Sequence, residues 1–173
     1  MFASKKITVV SVVSLFIGFG AISPAGSASA KADQTLHIDI PVKIEKANVA
    51  IDMGHLVFAG DSPFALGDLH LLANDFRDWS TNGKVVAVFH GDAAYVVVND
   101  DTYNVVRHST TGNPYRELLA ELMKEGVQIE LCGATAAANH WGNANLLPGV
   151  LVNTNAMVRL TQLEQQGYQM IYE

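Results

Sequence analysis

Residues 127–142 read VQIELCGATAAANHWG. Val127, Ile129 and Leu131 mark a strand by their two-residue apolar period, and the small residues Ala134 to Ala138 after Gly133 favour a helix. Cys132, the only cysteine, stands at the junction. A second stretch, KVVAVFHG at 84–91, is nearly continuously apolar and ends at His90-Gly91, the pattern of a strand covered on both faces. Such strands, alternating with helical patterns along the chain, predict β-α-β crossovers and a parallel sheet.

The rest of the chain extends this reading. NVAIDMGHLVFAG at 48–60 carries a first core strand. Ser62-Pro63 has the form of a cap and first helical residue, with Leu69, Leu72, Phe76 and Trp79 on one face of the helix and Asn82-Gly83 as its stop. The piece from Asp92 to Gly112 admits a helix or a strand plus a loop. Asn113-Pro114 is expected to start another helix, lined by Tyr115, Leu118, Leu122 and Met123 and closed by Gly126. LLPG is a turn, VLVNT a strand, Asn155 to Gln166 a helix stopped by Gly167, and YQMIYE a last strand. The fold class is α/β, a mainly parallel sheet of about five strands with helices on both faces.

Residues 1–30 stand apart. Lys5 and Lys6, the apolar run ITVVSVVSLFIGFGAI and the small residues SPAGSASA make the three-part pattern of a cleavable export leader, with cleavage expected after Ala30. The run is short of the roughly 20 residues of a membrane span. Removing the leader takes two lysines and no acid, so the net charge moves from −6 to −8 over 143 residues, the size of one domain. That acidic balance leaves no electrostatic footprint for nucleic acid or an anionic membrane. Residues 31–47 form an arm or edge strand. Within it Leu36, Ile38, Ile40, Val42 and Ile44 alternate with polar residues, and Pro41 confines any strand to an edge. The domain proper is expected over 48–173.

Chemistry in a parallel sheet gathers at the carboxyl ends of its strands. Cys132 there meets the first N–H groups of a helix, which favour a thiolate, and Gly133 leaves its backbone side open. The plain reading, a small buried hydrophobe, stands beside it. His90 is placed to take up or return a proton, or simply to bond to loop carbonyls. His140 and Trp141 could close over the thiol or cap a helix end. Asp52, His55 and Asp92 could border the same pocket. The six histidines show no paired metal spacing, and no phosphate loop, G-x-S-x-G elbow or dinucleotide fingerprint occurs, so neither a metal nor a cofactor is expected.

His-Gly after a strand, EGVQIELCG, LLPGV and the closing QQGY occur in this order. Together they resemble the DsrE/DsrF-like family of sulfur-relay proteins from about residue 48 to the end. The resemblance implies a three-layer α/β sandwich, homo-oligomers, and a persulfide carried on Cys132 between donor and acceptor proteins. It places His90 beside the thiol; Gly91, Gly133, Ala134 and Thr135, next to the two strand ends, are expected to surround the bound sulfur, although the residues after Gly133 extend no catalytic motif. With the leader it implies an exported, periplasmic member, whereas the better-known relays are cytoplasmic. A binding module without chemistry is the alternative, Cys132 then being a packing residue.

Overall fold

A computed structural model describes residues 36–173. The expected leader, 1–30, lies outside the described residues. The stretch before Ile40 is a separate unit, and the description that follows is of Ile40–Glu173.

Five strands form one parallel sheet in the order β6-β5-β4-β1-β7. They are β1 (Lys46–Met53), β4 (Asn82–Phe89), β5 (Gln128–Cys132), β6 (Leu151–Asn153) and β7 (Gln169–Tyr172). Two short strands, β2 (Phe58–Ala59) and β3 (Ser62–Pro63), pair as a separate hairpin. The helices are α1 (Phe64–Trp79), α2 (Asp100–Arg107), α3 (Arg116–Lys124), α4 (Gly133–Ala138) and α5 (Ala156–Gln165), with a 3-10 helix at Gly91–Val97. The expected α/β class is the observed one.

Topology decides which face each helix covers. From β1 through β4 and β5 to β6 the chain steps across the sheet in one direction, and right-handed crossovers keep the connecting helices on one face. Accordingly Leu66, Leu69, Phe76, Leu119, Leu122 and Ala136 share one core with Ile51, Phe89 and Leu131. From β6 to β7 the direction reverses across the whole sheet. The same handedness sends α5 to the opposite face, where Ala156, Leu160 and Leu163 pack on Ala50, Val86, Val88 and Cys132. Between β5 and β6, therefore, one helix leaves to each side, which is where a parallel sheet opens a crevice.

Four local expectations need correction. Ser62 and Pro63 form β3 rather than opening a helix; α1 starts at Phe64 without a side-chain cap. That helix ends at Ser80 in the left-handed conformation, and Asn82-Gly83 already belongs to β4. The helix expected from Pro114 begins at Arg116, because Asn113 is buried as a brace. Its side-chain N–H groups donate to the carbonyls of Val96 and Val98 at 2.7 Å, and its oxygen accepts from the Tyr115 N–H. Residues 40–45 form no strand, and Ile40, Val42 and Ile44 are exposed. The sheet reaches only the last of these residues, Glu45, whose carbonyl accepts the Asn82 N–H at 2.9 Å: β4 begins level with Lys46 and β7 only level with Val49.

Candidate functional site

Strand register sets the geometry. Phe89 lies opposite Leu131 as the last pair of the β4–β5 ladder, so His90 and Cys132 follow at the ends of neighbouring strands. Asp52 lies opposite Val88, and Val88 opposite Glu130. Alternation then points Asp52, His90, Glu130 and Cys132 to the α5 face.

Cys132 is 4 % exposed and packed among aliphatic side chains, as the plain reading expects. Its sulfur is nonetheless hydrogen-bonded. The Ala156 N–H, the first of α5, donates to Sγ at 3.2 Å. The Thr135 hydroxyl and the N–H groups of Thr135 and Ala134 stand nearby and also favour its anion. Burial pushes the thiol up, but the combined donation outweighs it and holds Cys132 below the ordinary thiol range. The folded thiol thus ionises at lower pH than the unfolded one. Its contribution to stability is complete above the ordinary thiol pKa and is lost as pH falls through the folded value.

Thr135 joins the two strand ends. Its Oγ1 accepts the Gly91 N–H at 3.3 Å, and its hydroxyl favours the anion of the sulfur. A Thr135→Val variant is expected to raise the midpoint pH of Cys132 alkylation. It should also slow alkylation at neutral pH by roughly tenfold, the value of one hydrogen bond to a charged group. An unchanged midpoint would remove Thr135 from the site.

Gly91 adopts φ +51°, and a Cβ there would lie 3.2 Å from the Gly54 carbonyl oxygen. At Gly133 a Cβ would stand 2.5 Å from the Asn153 carbonyl oxygen, so the glycine lets the β6–α5 turn close against the thiol. Ala134, expected beside the sulfur, contributes only its backbone N–H.

His90 Nε2 lies 2.5 Å from Asp52 Oδ1. His55 and Asp92 stand apart, their exposed side chains 3.7 Å from each other. Trp141 packs into the core of the opposite face and His140 is exposed, so that pair does not cover the sulfur.

Two residues that the sequence reading passed over complete this face. Glu130 is 2 % exposed and accepts from Arg159 Nε at 3.0 and 2.9 Å, from Arg159 Nη2 at 2.7 Å, from Gln128 at 2.6 Å and from Asn153 at 3.0 Å. Burial raises the Glu130 pKa, and these hydrogen bonds with the guanidinium charge override it, leaving the carboxyl below its usual value. The available signal was a charge set between Ile129 and Leu131, on the face of Cys132. A cavity of about 370 Å³ opens above this pair, lined also by Leu151 to Asn155, Val158 and Gln162. The sulfur does not line it.

A family model described as the DsrE/DsrF-like family matches residues 46–172. Several solved structures are similar to this chain, two of them as follows. A protein of unknown function, MTH1491 from Methanobacterium thermoautotrophicum, is 18 % identical with a TM-score of 0.51, over 74 % of this chain and 98 % of that one. The ychN protein from E. coli is 18 % identical with a TM-score of 0.53, over 73 % and 99 %. At that identity the likeness shows the fold alone. No curated protein matches the chain.

Proposed function

The chain belongs to the DsrE/DsrF-like family, and from that membership we propose that it is an exported sulfur-handling protein. Cys132 accepts a sulfane sulfur as a persulfide and passes it to an acceptor thiol. The observation that carries the reading is the donor set on the sulfur: the α5 N–H at 3.2 Å and the hydroxyl and N–H of Thr135 favour an anion there. The thiolate attacks the terminal sulfur of a donor persulfide, a new S–S bond forms at Sγ, and the donor sulfur leaves with the electron pair of the broken bond. Attack by an acceptor thiolate reverses the sequence.

The leader pattern of residues 1–30 supports a periplasmic location. Self-association is part of the proposal, supported by the exposed Leu151, Val152, Met157 and Val158 around β6. Separate donor and acceptor proteins complete it.

Incubation of the mature protein with an inorganic polysulfide, followed by intact mass measurement, tests the chemistry. The expected result is a gain of one sulfur atom per chain that Cys132→Ser abolishes. No gain, or a gain that persists in the serine variant, ends the proposal.

The near-complete burial of Cys132 favours a second reading, a binding module in which the thiol only packs. A thiol-reactive dye separates them. Reaction below neutral pH supports the carrier, whereas reaction only above the ordinary thiol pKa, about 8.5, supports the module.

A further inference from the structure

We propose that Glu130 and Arg159 are the positioning pair of this site: their buried contact clamps the first turn of α5 onto the end of β5 and so keeps the Ala156 N–H on the Cys132 sulfur. The inference rests on the carrier reading and says what holds its anion site in shape.

Two tethers join the same two elements. Ala156 and Arg159 are three residues apart on α5 and share one side of that helix. Glu130 and Cys132 are two apart on β5 and point to one face of the sheet. The Ala156 N–H donates to Sγ at 3.2 Å, and Arg159 grips the carboxylate through Nε at 3.0 and 2.9 Å and through Nη2 at 2.7 Å. A single hydrogen bond would leave the helix end free to swing about the sulfur. A second contact one turn away removes that freedom. The guanidinium is also tied to the turn that presents the amide, since the Arg159 backbone N–H donates to the Asn155 carbonyl at 3.0 Å. The carboxylate gathers in β6 as well: Asn153, opposite Cys132 in the ladder, donates to Oε2 at 3.0 Å.

Stability does not account for the pair. A buried ion pair generally adds nothing over apolar side chains of the same volume, and Leu160 and Leu163 already pack α5 on the sheet. What a forked guanidinium–carboxylate contact supplies is a fixed geometry. Nor does charge account for Glu130, because a carboxylate on the face of the sulfur opposes a second anion there. The remaining charged and titratable groups on this side of the sheet are Lys46, Asp52, Lys84, His90, Tyr168 and Tyr172, and α4 carries none. All of them are kept in the variants that follow.

Alkylation of Cys132 against pH, with thermal midpoints of the same proteins, tests this. Arg159→Met and Glu130→Leu are each expected to raise the midpoint pH of alkylation and to slow it at neutral pH roughly tenfold, the value of one hydrogen bond to a charged group. For Glu130→Leu the direction decides. Taking a negative charge from the face of the sulfur would by itself lower the midpoint, so a rise reports loss of the clamp. The double variant, Glu130→Leu with Arg159→Met, breaks the contact without leaving a buried charge. It should melt above Arg159→Met and still show the raised alkylation midpoint, a combination that a merely stabilising pair does not give. Arg159→Lys keeps the charge, loses the fork and should fall between. An unchanged or lowered midpoint in Glu130→Leu, or a wild-type profile in the double variant, overturns the positioning role and leaves the carrier reading standing. A wild-type chain that takes up no sulfur from tetrasulfide overturns the carrier reading, whatever the alkylation profiles show.

Discussion

An Arg159→Met variant is expected to melt on the order of 10 °C below the wild type at pH 7, the largest stability loss in the molecule that spares the main core. Breaking a buried ion pair on one side costs about 3 kcal/mol or more, and for a chain of this size each kcal/mol moves the midpoint by roughly 3 °C. Methionine fills most of the volume of the arginine stem, so the loss reports the charge. Glu130 would keep Gln128 and Asn153 but lose three of its hydrogen bonds and the cation that pairs with it. Its response is to hold a proton, and that reverses a sign. In the wild type the Glu130 pKa is depressed, so its contribution is present above the unfolded carboxyl value, about 4.3, and is lost as pH falls through the folded one. In the variant the folded pKa lies above the unfolded value, so stability falls as pH rises beyond about 4.3. Thermal midpoints of both proteins from pH 4 to 8 check this. Curves that stay parallel would mean that Glu130 is not held by the guanidinium.

The strands that carry the site were legible because burial on both faces leaves a compositional mark. KVVAVFHG and VQIELCG read as strands, and their ends place His90 and Cys132 in neighbouring positions. The start of α5 was legible too, since Asn155 caps it by accepting the Val158 N–H. Turn residues misled where they serve packing. Gly83 reads as a helix stop, yet it lies within β4, where a Cβ would fall 1.5 Å from the Ala47 carbonyl oxygen, so close approach between strands requires the glycine. Asn113 reads as a cap and is instead a buried brace for two carbonyls. Asp52 was expected at the border of the pocket of His90, whereas the pair Glu130–Arg159 was out of reach for another reason. Its members are 29 residues apart, and only the reversal of strand order after β6 brings α5 over this face. For the same reason the anion-favouring end of α4 was expected, whereas the contribution of α5 was not. Periodicity records which side of an element is buried, and not against what.

Gly133→Ala is expected to disable the sulfur and destabilise the fold together, because one added methyl group falls on the turn that serves both. Its Cβ would stand 2.5 Å from the Asn153 carbonyl oxygen and 3.0 Å from that of Thr154, both backbone atoms. That turn cannot yield freely. Asn153 is paired with Cys132 in the ladder, its side chain donates to Glu130, and Asn155 caps α5. Overpacking against such a segment costs about 1–3 kcal/mol, and the relief available is to push β6 and the start of α5 outward. The Ala156 N–H then leaves the sulfur it now meets at 3.2 Å, and burial, the largest influence on the thiol, acts against one fewer donor. The midpoint pH of alkylation should rise and the thermal midpoint should fall in the same protein. Thr135→Val, by contrast, moves the first with little effect on the second, since it removes one hydroxyl without displacing backbone. A Gly133→Ala protein with the wild-type alkylation profile would show that the α5 amide does not hold the thiolate, and the anion site would then reduce to Thr135 and its neighbour.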